Sequence, residues 1–146
     1  MSVSFSQLRS AVATQIDALA GFSESRIPPE YFGRNENSVA HKRFAVALSA
    51  SNDAGDRMRR AVGVYASSTV RVTFAYRLRP KDAYPTDYDA GLDTEKDVIN
   101  AVLQSYASVE PHVVIRYNRS SRDVTDSTEY MIINLEFTAL HMLPTT

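Results

Sequence analysis

Residues 68–79 constrain this chain more than any other stretch. Val70, Val72, Phe74, Tyr76 and Leu78 alternate with Arg71, Thr73, Ala75, Arg77 and Arg79. A period of two is that of a strand, and apolar residues on one side only mean a sheet with one buried face and one polar face. Three unpaired guanidiniums cannot be buried under other elements without a large desolvation penalty. The arginine side must therefore face water, a lumen or another subunit. Pro80 ends the strand.

The rest of the chain supplies what the inner face needs. Ser4 and Gln7 have capping-box spacing, with Val3 and Leu8 placed to staple the helix start. Phe5, Leu8, Val12, Ile16 and Leu19 then form one helical stripe, and Gly21 is expected to stop the helix. A second helix is expected from Asp93 or Thr94, with Asp97 completing a capping box. Its apolar face is Val98, Ile99, Val102, Leu103 and Tyr106, and Pro111 forbids continuation. Residues 43–50 read as a strand in which Phe44, Val46 and Leu48 alternate with small residues, and residues 61–66 either extend the long strand or bulge from it. A closing hairpin sets Val113, Ile115 and Tyr117 beside Met131, Ile133, Leu135 and Phe137, with residues 118–128 as its polar tip. The order is helix, strand, strand, helix, strand, strand. It predicts an α+β fold, with two helices packed on one face of a four-stranded, mainly antiparallel mixed sheet. Leu8, Val12, Ile16, Val72, Phe74, Val102, Ile133 and Leu135 are expected to share one core.

Three connections stand out. Residues 22–42 form a long irregular segment containing Pro28, Pro29 and Gly33, with Tyr31 and Phe32 in its middle. Residues 51–60 are polar. Residues 81–93 read as an acidic, tyrosine-bearing loop. At 146 residues the chain fits a single domain, 1–146, able to bury about two-thirds of its unfolded surface.

Chemistry is sparse. With no cysteine, thiolate zinc sites, disulfides and cysteine nucleophiles are excluded. A formal net charge of −1 supplies no global field to hold nucleic acid. The first twenty residues do not read as a signal peptide, and no apolar stretch approaches a membrane span. The sequon at Asn118 reads as chance without a secretory signal. His41, His112 and His141 read as scattered surface or edge residues, none with a second ligand at metal spacing. The run from Asp87 resembles the start of a calcium loop, but Gly91 is its fifth residue and Val98 its twelfth, where a bidentate glutamate is required. No phosphate-cradling glycine loop or nucleophile elbow is present. No catalytic, cofactor-binding or metal residue is therefore assigned.

Charge is distributed unevenly. Residues 53–79 hold six arginines against two aspartates, a balance of +4, and residues 81–97 hold two lysines against six acids, a balance of −4. Such a dipolar surface suits head-to-tail contact between identical copies, which closes into rings.

The whole ordering resembles the tail terminator family of long-tailed bacteriophages, the lambda-type minor tail proteins. The likeness runs from the helix at residues 8–12 through the strands at 44–48 and 70–78 with Pro80, the acidic lead-in to the second helix, and the hairpin at 115–119 and 130–137. It implies a non-enzymatic virion protein without cofactors, assembled in the host cytoplasm as a six-membered ring in the neck. There it ends the tail tube and joins it to head-completion proteins, and genomic DNA passes through its lumen without sequence-specific contact. On that reading Arg71, Arg77 and Arg79 meet Asp87 and Asp89 of a neighbouring copy. Arg119, Arg122, Asp123 and Asp126, at the hairpin tip, meet the tail tube or the head connector. A head-closure connector is the main alternative. A small cytoplasmic enzyme or ligand-binding protein would need a pocket of converging polar groups.

Overall fold

The computed structural model describes residues 2–28, 41–54, 64–78, 83–106, 113–125 and 129–144. The elements run α1 (Phe5–Asp17), β1 (Ser23–Glu24), β2 (Arg43–Asp53), β3 (Tyr65–Arg77), α2 (Tyr84–Leu103), β4 (Val114–Val124) and β5 (Tyr130–Met142). The strands form a mixed five-stranded sheet in the order β1-β2-β3-β5-β4. Every pair is antiparallel except β1 with β2.

α1 begins as its sequence dictates. The Ser4 hydroxyl accepts from the Gln7 N–H at 3.2 Å, and the Gln7 side chain accepts from the Ser4 N–H at 2.8 Å. Leu8, Val12 and Ile16 are fully buried, but Phe5 is 41% exposed and meets the edge of the His141 ring. The helix ends at Ala18 in a right-handed conformation. Gly21, with φ of 82°, lies beyond that end and turns the chain into β1 rather than capping the helix.

The fifth strand was not expected. β1 is only two residues long and pairs Ser23 with Arg43 and Glu24 with Phe44. So short a segment carries no period. β3 lies centrally, in register with β5 from Tyr65↔Met142 to Arg77↔Tyr130. Val70, Val72 and Phe74 therefore sit beside Phe137, Leu135 and Ile133. These residues, Leu8, Val12 and Ile16 of α1, and Val98 and Val102 of α2 make one cluster. Both helices thus cover the same face, and all eight expected core residues are buried within it.

Two further expectations are corrected. The acidic loop at residues 81–93 is largely helix, since α2 starts at Tyr84 and runs for 20 residues. Pro85 sits in the first turn, where its missing N–H costs nothing, so it begins a helix instead of marking a loop. Thr94 is not a cap. It lies mid-helix and its hydroxyl donates to the Ala90 carbonyl at 2.9 Å. The buried stripe of α2 is Asp87, Gly91, Glu95, Val98 and Val102. Its first three members are not apolar, which hid the helical period. Gly91 lets the helix sit close to β5, because a Cβ there would press on Met131 Cε and displace the end of that side chain.

The second correction concerns the hairpin. β4 continues to Val124, so Arg119, Arg122 and Asp123 lie on a strand and not in a tip. Polar residues outnumber apolar ones there because β4 is an edge strand with most residues exposed. A register shift between Tyr117 and Arg119 puts Arg122 on the helix side of the sheet. Arg79, Asp126, Tyr31 and Phe32 fall outside the described residues.

Candidate functional site: the open face of the sheet

Along β5 every second residue is buried, from Met131 to His141. The residues between them belong to the other face. The pairing lines up Ala47, Arg71, Glu136 and Arg119 as one row across four strands, and Ala45, Thr73, Asn134 and Ser121 as the next. Arg119 Nε donates to Glu136 at 2.8 Å, and the Thr73 hydroxyl donates to Asn134 at 2.7 Å. Further along, Ala75 is buried in a small apolar cluster with Ile27, Ala45, Tyr130 and Ile132. Ile27 is thus the described residue that covers part of this side from outside the sheet. Arg71 is exposed, with no carboxylate in salt-bridge range among the described residues.

The other expected interface residues are dispersed. Arg77 and Asp87 line one hollow of a single chain, together with His41 and Tyr76. They were expected to meet across two neighbouring copies, but the end of β3 approaches the start of α2 within one chain. Asp87 is buried, whereas Asp89 is exposed. In the hollow, His41 Nδ1 accepts from the Arg77 backbone N–H at 3.0 Å, and its ring stands edge-on to Tyr76. Desolvation, then Lys42 and Arg77, push the His41 pKa below its ordinary 6.5, against a smaller pull from Asp87.

Arg122 reaches α2. Its Nε and Nη2 donate to the two oxygens of Glu95, both at 2.7 Å. The Glu95 side chain is 6% exposed and that of Arg122 37%. This bond to the carboxylate raises the Arg122 pKa. It ties the edge strand to the helix. Asp123, paired in register with Ile132, stays exposed on the open face.

The expectation for His141 is corrected. His141 is fully buried, not a surface residue. Its Nδ1 lies 2.9 Å from the Val3 carbonyl and its Nε2 lies 2.8 Å from the Ser68 hydroxyl, which contacts Ser51. A carbonyl only accepts, so Nδ1 carries a proton; in the neutral ring Nε2 then accepts from the Ser68 hydroxyl. The partner on Nδ1 is a carbonyl and not a carboxylate, and the serine is buried. The arrangement pins the chain start to β5 rather than activating a nucleophile. The usable signal was its even spacing from Phe137 and Ala139 on the core side.

No group of three or more potential metal ligands occurs among the described residues, and no described helix is long and apolar enough to cross a membrane. The sequence matches no protein-family model and no curated protein. Among solved structures, the fold is similar to a chain from the virion of a native gene transfer agent (GTA) particle. The TM-score is 0.55 at 19% identity, over 92% of this chain and 94% of that one. The two chains share a fold along nearly their full lengths.

Proposed function

We propose that this chain is a non-enzymatic structural protein of a virion, and specifically a tail terminator. In this role it forms a ring, most naturally of six copies, on the head-proximal end of the tail tube. The ring stops tube growth and presents its other side to head-completion proteins. Genomic DNA passes through the lumen without base-specific contact, and assembly takes place in the host cytoplasm without a cofactor. The observation that carries the reading is the nearly full-length fold likeness to a chain of a GTA virion. The order of elements common to tail terminators supports it.

The parts divide the work. The covered face of the sheet makes the stable monomer. The end of the β4–β5 hairpin, with Asp123 and Asp126, meets the tube or the connector. Arg122, held by Glu95, ties that end to α2. The test is genetic. Particles assembled without this chain should show overlong tails lacking heads under the electron microscope. Tails of normal length, properly joined to heads, would refute the terminator role.

A further inference from the structure

Among the described residues the open face of the sheet carries Arg43, Arg71, Arg77, Arg116 and Arg119 against Asp123 and Glu136, a balance of +3. Among the described residues, Arg119 alone of these arginines has a carboxylate partner on that face. Arg43 adds a second sign of incompleteness, because its buried Nε has no hydrogen-bond partner. The opposite sign lies across the molecule. α2 holds Asp87, Asp89, Asp93, Glu95 and Asp97 against Lys96, a balance of −4. Asp89, Asp93 and Asp97 are all exposed and recur every four residues, so they form one ridge along the helix. Asp87 and Glu95 point inward, away from that ridge.

We infer that the open sheet face is a docking surface for the acidic α2 ridge of a second copy of this chain. The spacing agrees. Asp89 and Asp97 are about 12 Å apart along a helix rising about 1.5 Å per residue. Arg71 and Arg116 stand two strands apart and one same-face step along. With strands about 4.8 Å apart and a step of about 6.8 Å, that is also about 12 Å. A polyanion such as nucleic acid fits the face less well, since Glu136 and Asp123 interrupt it and the chain carries its own matching stripe. Because the ridge and the face lie on opposite sides of the sheet, each copy offers one to either neighbour. That is a head-to-tail contact, which closes as a ring.

The inference rests on the ring in the proposed function, and it replaces Arg77 and Asp87 with Arg71, Arg116, Asp89, Asp93 and Asp97 as the pairing residues. Sedimentation velocity at low ionic strength tests it. The wild type should self-associate, and its mass should fall as salt rises. A face variant (Arg71→Glu, Arg116→Glu) and a ridge variant (Asp89→Lys, Asp93→Lys, Asp97→Lys) should each associate at least about 100-fold more weakly, since like charges then meet. Circular dichroism should show both folded, because every substituted side chain is exposed. An equal mixture of the two should regain wild-type mass, because each reversed surface finds its complement and the copies alternate around an even ring. A wild type that stays monomeric at millimolar concentration, face variants that associate normally, or a mixture that stays monomeric would each overturn the docking mode. If the face variant also restores normal tails to particles lacking this chain, the docking mode fails while the terminator role stands.

Discussion

β5 serves two surfaces with one backbone. Met131, Ile133, Leu135 and Phe137 are fully buried, while Ile132, Asn134, Glu136 and Thr138 between them keep partial contact with solvent. The first set is held by apolar packing against two helices, where shape and volume decide everything. The second carries cross-strand polar pairs, such as Arg119 with Glu136 and Thr73 with Asn134. A one-residue shift of register would exchange the two sets. If the open face is where copies meet, stability and assembly are separable in this molecule, and substitutions on the two sides should behave differently.

The largest difference should appear at neighbouring positions of β3. Phe74 is fully buried and packs edge-on against Phe22. Phe74→Ala should cost about 3–5 kcal/mol in urea unfolding. Arg71→Ala, three residues away on the open face, should cost less than about 0.5 kcal/mol. Equal losses at the two sites would erase the distinction between the faces.

An intermediate effect is expected where the edge strand meets α2. Removing Arg122 strands the nearly buried Glu95 carboxylate, although the partly exposed arginine shares its role with water. Arg122→Ala should destabilise by about 1–2 kcal/mol. Arg119→Ala breaks a pair whose arginine side chain is 75% exposed, so its cost should stay below about 0.5 kcal/mol. A thermal melt that ranks Arg119 above Arg122 would mean that β4 is not secured from the helix side.

The smallest effect concerns pH. The folded protein holds the His41 pKa below 6.5, so the unfolded chain takes up that proton more readily. Stability is unaffected by this group well above pH 6.5 and falls as the pH drops through and below that value. Lys42 and Arg77 oppose the charged ring, and Asp87 favours it. Unfolding measured from pH 7.5 to 5 should show a shallower decline in His41→Gln than in the wild type. An identical slope would mean that the hollow does not disfavour the charged ring.

These contrasts also explain what could be read in advance. Helix α1, the pairing face of β3 and the inner residues of β5 were legible because apolar period reports packing directly. The start of α2 was not, because its buried positions are Asp87, Gly91 and Glu95, which satisfy packing and ion pairing without any apolar signal. Nor was β4 beyond Tyr117, since an edge strand need not be apolar on either side. The site suffered most. Charge counted along the sequence set Arg77 apart from Asp87, but pairing register and the approach of α2 bring them to one hollow. The arginines of the open face were visible in the sequence at Arg71. Arg116 joins them only through the β4–β5 register.

In the proposed assembly identical copies meet face to ridge in a ring at the end of a tail tube. Cryo-electron microscopy of the particle's neck tests it most directly. The expected density is one ring of six copies between tube and head, with each α2 ridge against the open sheet of the next copy. Density for this fold repeated along the tube, located in the head shell, or arranged about two-fold axes would contradict it.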